Sequence, residues 1–565
     1  MPSIPFPPGI APGPVTPTRG RSIIATQTFP PGGTIAIIPD DLSVALADTP
    51  HLSQTCSSCL AVSSEVVNPL GSPGPNTPTV KVRACAGCST AYYCSPTCQK
   101  ADWKRVHGRG ECKIFKRVRA AIGKEGAAPG QALTGRWNVL PTPARAALHI
   151  LLRPELMAAV AETEGHVEEA SKGEGRANLE FQARAVLNYM GREETQRNVQ
   201  EAVEVFCKLQ INSFNRVDVD IGQGGVYLNP MVAMVNHSCI PNAFVQFIGR
   251  RAVLHAYREI KEGEEIEISY IENARHRSYR QEALKTRYHF DCCCPRCKDD
   301  LDIYKVCQQY PHIDLNMLSL LPELDKLRNP PQKGVLHSNK SLQRYVEEIY
   351  PSCSVSLHGV DPAETHKQLQ LRWKLCAQLR EAELYAVEPL SELFVEGGLW
   401  VAGKGDYASA LAISCFIELN CDAYRTPMPF AEQRVKNMLM IAKLMANTAS
   451  MMDSASSKND GSVSTRIYQA LKWIDQVTLS QVAMAIAVHY CPMAHSKEWP
   501  IYYQAKDLLD DVESLPGRET ENKLITAFIK NPTGPERRFF TTAVLKPIQI
   551  LAGFALEVME AEFGK

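Results

Sequence analysis

The spacing of apolar positions changes along the chain, and each change predicts a different kind of element. Arg21 to Ile38 carries β-branched residues around the turn signal Pro30-Pro31-Gly32-Gly33, which predicts a short β-hairpin. Residues 113–215 have helical spacing, as in the run Val199 to Phe214 with apolar positions at Val203, Phe206, Cys207 and Ile211. Strand signals return over 226–270, notably Ala243 to Phe247 and Ala252 to Ala256, with Gly249 at the turn. From residue 300 to the end the spacing is helical nearly throughout. Leu369, Trp373, Cys376, Ala377 and Leu384 share one face, and Gly405 to Tyr424 with Phe430 to Met445 predict an antiparallel helix pair across Pro427 and Pro429. These helix hairpins hint at a repeat without a clean 34-residue period. Ser454 to Ser464 reads as a mobile loop.

Composition narrows the class. A chain of 565 residues is too long for one core, so several domains are expected. Lys plus Arg equal Asp plus Glu at 61 each, so overall charge nominates neither nucleic acid nor an anionic membrane, and any such patch is local. Met1 to Pro17 is rich in Pro and Gly and lacks the charged start and apolar core of a signal peptide, and no apolar run approaches membrane-spanning length. The expected setting is intracellular, where 19 cysteines stay reduced and favour thiolate metal ligation over disulfides. Thirteen of them precede residue 300, nearly all in two clusters or beside a motif.

The first cluster reads Cys56-x2-Cys59, Cys85-x2-Cys88, Cys94-x3-Cys98 and His107-x4-Cys112. Each short pair can close two corners of a tetrahedron, and eight ligands imply two zinc ions. The segment is interrupted by the Pro/Gly/Ser stretch Asn68 to Thr79 and is too small for a hydrophobic core of its own, so metal supplies its folding free energy. Lys100, Lys104, Arg105, Arg109, Lys113, Lys116, Arg117 and Arg119 crowd its end. They are either a solvated face or a docking surface for DNA or an acidic peptide.

A second constellation surrounds Asn236-His237-Ser238-Cys239-Ile240-Pro241-Asn242-Ala243. A nucleophilic cysteine beside a histidine needs an orienting third group, and none is evident. Cys239 instead completes Cys292-x-Cys294-x2-Cys297, three clustered thiolates that lack a fourth ligand for a closed zinc site. Cys293 is the odd thiol, since in an extended segment its side chain leaves on the opposite side from its neighbours.

The words Tyr93-Cys94-Ser95-Pro96-Thr97-Cys98-Gln99 and Asp102-Trp103 before His107 resemble the MYND zinc finger. Arg19-Gly20-Arg21 with Ala25, Asn212-Ser213-Phe214, Asn236 to Ala243, Gly263-Glu264-Glu265-Ile266 through Ser269-Tyr270, and Tyr288-His289-Phe290 resemble the SET domain, specifically the SET and MYND domain lysine methyltransferase family. The resemblance implies interleaved zinc pairing, with Cys56, Cys59, Cys94 and Cys98 on one ion and Cys85, Cys88, His107 and Cys112 on the other. It implies that Arg19, Arg21, Asn212, Asn236, His237, Tyr270 and Phe290 contact S-adenosylmethionine, with Tyr270 also catalytic. On the residues alone, Tyr270 could be a core tyrosine at a strand end, Asn212 a helix C-terminal cap and Phe290 simple packing. Ser22 departs from the family, which has a second Gly there.

The expected architecture is α+β and multidomain: a β-rich SET fold split by a MYND zinc finger, followed by a post-SET zinc site and an all-α, TPR-like C-terminal domain. Its boundaries are a disordered Pro-rich arm at 1–17, SET residues 18–55, MYND 56–112, the rest of SET with a helical insert at 113–271, post-SET 272–298 and helical 299–565. The implied protein is a nuclear and cytoplasmic protein-lysine methyltransferase with three zinc ions, acting on a histone or non-histone lysine, with peptide or DNA partners at the MYND surface and no membrane. The competing reading is an inactive SET and MYND adaptor that binds peptides or transcriptional regulators, and Ser22 is the feature that favours it.

Overall fold

The computed structural model describes residues 6–17, 19–64, 79–124, 140–170, 174–218, 222–310, 340–357, 359–455 and 461–564. Most of the stretch from Asn68 to Thr79, and residues 456–460 of the expected loop, lie outside them. The chain divides into two units: Met1–Pro73, Pro78–Tyr270 and Glu282–Asp291 form the first, and Gly74–Thr77, Ile271–Gln281 and Cys292–Lys565 the second. The segment expected as one post-SET element, 272–298, is therefore shared between them.

The strands of the first unit are β1 Ile10–Pro12, β2 Ile23–Ala25, β3 Thr34–Ile38, β4 Val44–Ala47, β5 Arg83–Ala84, β6 Tyr92–Tyr93, β7 Phe214–Asp218, β8 Gly222–Leu228, β9 Asn236–His237, β10 Ala243–Ile248, β11 Arg251–Ala256 and β12 Glu267–Ile268. They form small sheets ordered β1-β2, β10-β11-β3, β4-β8-β7, β12-β9 and β5-β6. The β10–β11 hairpin forms with Ala243 opposite Ala256, and Gly249 at its turn takes a φ of 57° that suits glycine.

The hairpin expected over Arg21 to Ile38 does not form. Instead β2 pairs with β1 and β3 pairs with β11. Pro30 and Pro31 have no N–H to offer a hairpin ladder, and Phe29 just before them exchanges both backbone hydrogen bonds with Ile260. The turn is thereby tied to a third segment. The N-terminal arm also departs from expectation: Ile10 is buried, β1 is paired with β2, and the Gly13 N–H donates to the Ser22 carbonyl. Pro12 is tolerated because β1 lies at the edge of a two-stranded sheet.

Two cores hold this unit. One gathers Ile23, Ile38, Ala252, Leu254, Ala256 and Ile268 from the strands, with Ile266 just before β12. The other packs Val44, Leu46 and Leu228 against helices Thr142–Leu151, Glu174–Met190 and Gln196–Asn212. The last of these helices is capped by Thr195, whose side chain accepts from the Asn198 N–H. It stops two residues short of the expected end, because Phe214 opens β7 opposite Tyr227.

Among the described residues no strand follows β12, and the second unit is helical. The expected apolar face from Leu369 to Leu384 is split between helices Pro362–Leu375 and Ala377–Glu381, with Leu369, Trp373, Cys376 and Leu384 buried. Helices Tyr407–Ile417 and Glu432–Ala455 run antiparallel, since Asn437 donates to the Ser414 carbonyl while Arg434, one turn earlier, reaches Glu418, one turn later. Two helical stretches, Gln476–Ala494 and Arg537–Phe563, are long and apolar enough to cross a membrane, and they are 72% and 44% buried inside the protein.

The five-residue π turn Glu418–Asp422 places buried charges between these helices. Burial, with the Glu418 charge beside it, lifts the Asp422 carboxyl to about 6 against the opposing pull of Arg425 and Arg434. The folded state thus holds this proton more tightly than the unfolded chain, so its stabilising contribution is present below about pH 4 and is lost as pH rises through 6. Urea unfolding of the protein and its Asp422→Asn variant tests this. The stability of the protein relative to the variant should fall between pH 4.5 and pH 7, and an unchanged difference would contradict the assignment.

Candidate functional site

In the Cys-rich segment the Sγ atoms of Cys56, Cys59, Cys94 and Cys98 lie within 4.8 Å of one another, as do the ligand atoms of Cys85, Cys88, His107 and Cys112. This is the interleaved grouping. The Cys59–Cys94 and Cys94–Cys98 sulfur separations are 3.6 and 3.5 Å, and Cys88 Sγ lies 3.7 Å from His107 Nε2. These match the edges of a tetrahedron of thiolates and imidazole around zinc, roughly 3.6–3.8 Å, and far exceed a disulfide bond. The β5–β6 ladder, with Arg83 opposite Tyr93, helps interleave the pairs. Helix Pro96–Arg105, capped by Ser95, sets Cys98 one turn from Cys94.

A buried polar network behind His107 was not anticipated from sequence. Glu111 Oε2 lies 2.7 Å from His107 Nδ1, and its Oε1 lies 2.8 Å from His149 Nε2 and 3.3 Å from Arg145 Nη2. Burial alone would push the Glu111 carboxyl up, but His149, His107 and Arg145 outweigh it and hold the group well below the usual range. A carboxylate on Nδ1 fixes the tautomer that leaves Nε2 for the metal. The i,i+4 spacing of His107 and Glu111 was the only sequence signal.

Four of the eight basic residues at the end of the segment are engaged within the unit. Arg105 pairs with Asp40 and Arg109 with Glu155, while Arg117 and Arg119 donate to the carbonyls of Tyr189 and Cys88.

The second constellation is built on β9, which runs parallel to β12 with Asn236 beside Glu267 and His237 beside Ile268. The Asn236 amide nitrogen donates to the Arg21 carbonyl at 3.0 Å and to Glu265 Oε1 at 2.8 Å. Arg19 reaches Glu265 Oε2 at 3.2 Å, Glu267 Oε1 at 2.6 Å and the His237 carbonyl at 3.2 Å. Its guanidinium therefore braces β9. The Tyr270 N–H donates to His237 Nδ1 at 3.0 Å, so the neutral ring carries its proton on Nε2, 3.3 Å from Cys239 Sγ.

The Tyr270 phenol donates to the Val235 carbonyl at 2.6 Å. Burial, helped by neighbouring Tyr288, pushes this phenol above its ordinary value, so it stays protonated at neutral pH. Ring centroids place His237 5.3 Å from Tyr270 and 6.1 Å from Phe290, and Tyr270 4.8 Å from Tyr288. These four rings form one aromatic group. Asn212 lies apart from this bonding network: its amide donates to the Glu164 and Lys208 carbonyls at the end of its helix. Ser22 is buried and donates to the Pro14 carbonyl, in space left by Gly13, where an added Cβ would sit 2.4 Å from Ser22 Oγ.

Cys239 is buried in the first unit. In the second, the Sγ atoms of Cys292, Cys294 and Cys297 lie within 4.8 Å of one another, while Cys293 is exposed. Gln281 holds the Cys292 backbone by two hydrogen bonds, and Arg280 Nη2 lies 3.7 Å from Cys297 Sγ.

Comparison with known proteins agrees with this geometry. The SET domain family model matches residues 20–271. The chain is 30% identical over 289 residues to SET domain and MYND-type zinc finger protein 6 of Schizosaccharomyces pombe, covering 51% of each. It is 27% identical to histone-lysine N-methyltransferase ASHR1 of Arabidopsis thaliana, over 59% of this chain and 64% of that one. It is 26% identical to the human N-lysine methyltransferase SMYD2, over 53% and 63%. The chain thus spans between half and just under two thirds of the length of these relatives. Residues 20–271 match the SET domain family model, and over that part the chain is similar to SET and MYND domain lysine methyltransferases.

Proposed function

We propose that the protein is an S-adenosylmethionine-dependent protein-lysine N-methyltransferase. The observation that carries this reading is Tyr270: its proton is committed to the Val235 carbonyl, so its oxygen is left to accept, while its ring packs with His237 and Tyr288. A protonated phenol in that state accepts weak C–H···O contacts from a methyl group and an N–H from an amine. When bound, the cofactor would supply an electrophilic methyl on a sulfonium: the neutral lysine nitrogen bonds to that methyl in line as the carbon–sulfur bond breaks, and the thioether leaves as S-adenosylhomocysteine. The chain has then to align the amine, exclude water and let the proton of the amine depart. Asn236 and His237 would border the cofactor, with Arg19 and Arg21 on the neighbouring segment, and Phe290 and Asn212 would be further contacts.

In this reading the Cys-rich segment 56–112 is a MYND module holding two zinc ions, inserted between SET residues 18–55 and 113–271. Cys292, Cys294 and Cys297 at the post-SET segment would hold a third zinc, as a three-thiolate set short of one ligand. The region from 299 is a separate helical part, and the substrate is a lysine on a histone or another protein of nucleus or cytoplasm. Peptides are the partners that suit the MYND surface. DNA loses support, because Arg105, Arg109, Arg117 and Arg119 are spent within the unit. The inactive-adaptor reading rested on Ser22, and Gly13 and Pro14 accommodate that side chain.

Incubation with methyl-labelled S-adenosylmethionine and an array of lysine peptides should label a subset of them, with the Tyr270→Phe rate lower by at least about a hundredfold. No labelled peptide together with no cofactor heat by calorimetry would end the enzyme reading. For the zinc module, Glu111→Ala should lower stability by about 3–5 kcal/mol through the unpaired Arg145 and His149. It should also speed zinc loss to a chelator about ten- to a hundredfold. Zinc release at the unaltered rate would show that Glu111 does not support His107.

A further inference from the structure

Glu265 belongs to none of the roles assigned above, yet it touches two of the groups that border the proposed cofactor slot. Its Oε1 accepts from Asn236 Nδ2 at 2.8 Å and its Oε2 meets Arg19 Nη1 at 3.2 Å. Its backbone is fixed independently, by a bridge between Ile24 and Glu265 and by the Asn242 amide on its carbonyl at 2.8 Å. The carboxylate is thus presented from an anchored segment.

We infer that Glu265 is a positioning residue that decides which edge of Asn236 is offered to the cofactor, and that it thereby selects the ammonium of the cofactor's amino-acid group. This rests on the methyltransferase reading above. An asparagine amide has a donor edge and an acceptor edge. Here the two groups facing it, the Arg21 carbonyl and the Glu265 carboxylate, are both pure acceptors. Turning the amide over would set oxygen against oxygen twice, so the donor edge is committed inward. The Oδ1 atom remains, and it can only accept.

Of the charged groups on a cofactor amino acid, the ammonium donates and the carboxylate does not. Arg19 completes the arrangement, since its guanidinium lies between Glu265 and Glu267 and also holds the His237 carbonyl. The cation best placed to attract a carboxylate is thereby neutralised by two acidic neighbours. The chemistry of this corner favours an ammonium over a carboxylate.

The test uses S-adenosylhomocysteine and its analogue lacking the α-amino group, with affinities measured by calorimetry on the full chain. For the unaltered protein the affinity ratio should be about ten- to a hundredfold in favour of the amino compound, as expected for a hydrogen bond to a charged group. Glu265→Ala frees the Asn236 amide to turn, and the ratio should fall to about threefold or less. Glu267→Gln removes a partner of Arg19 but leaves the Asn236 bond intact, and should keep the ratio. Should Glu265→Ala fail to fold by circular dichroism, Glu265→Gln replaces it. It offers one acceptor to two donors and should lower the ratio severalfold. An undiminished ratio in the Glu265 variant, or an equal fall in Glu267→Gln, overturns the inference alone. Absence of binding by the unaltered protein overturns the cofactor reading as well.

Discussion

Two residues of parallel strand hold the candidate site together. Asn236 and His237 lie against Glu267 and Ile268, and Arg19, Arg21 and Tyr270 are attached to that ladder by hydrogen bonds, while Phe290 meets it through the His237 ring. A pair of this length contributes little by itself, because strand pairing needs neighbours and buried side chains to persist. Its persistence comes from acceptors and donors that close around it: Glu265 and the Arg21 carbonyl on Asn236, Arg19 on the His237 carbonyl, the Tyr270 N–H on the His237 ring. Removing any one leaves a polar group unsatisfied, which costs more than the bond contributes when made.

The same economy governs the Cys-rich segment. Its buried apolar cluster consists of Cys56, Cys85, Cys88 and Cys112 with Ala91, Tyr93 and Phe115 beside them, too small a core to fold unaided. The donor sets take over the role of apolar packing, and Glu111 links the His107 ligand to Arg145 and His149 on a helix of the SET core. Metal binding and the fold of the first unit are thereby connected through one buried carboxylate.

Much of this was legible in the residues, and the reasons differ by part. Thiol spacing marked the short ligand pairs, because ligand geometry tolerates few intervening residues, whereas their interleaved grouping was implied by the resemblance to the MYND finger. The β10–β11 hairpin was legible from Gly249 between two apolar runs, since its partners are adjacent in sequence. The pairing of Thr34–Ile38 was not, because its partner lies more than two hundred residues away and Pro30 and Pro31 resemble an ordinary turn. The Pro-rich arm was misread for a related reason: composition signals disorder, but Ile10 finds a core that only the folded chain provides.

By itself the sequence determined the kinds of element, the metal-ligand inventory and the words Asn236-His237 and Tyr270, because each depends on spacing within a few residues. Tertiary structure alone decided how those words are used. Arg19 is neutralised by Glu265 and Glu267, Ser22 is seated against Pro14, the Tyr270 proton is committed to Val235, and Glu111 stands behind His107. Except for Glu111, these partners are separated along the chain or meet through backbone carbonyls. A carbonyl is present at every residue, so only its position in the fold can distinguish the one that matters.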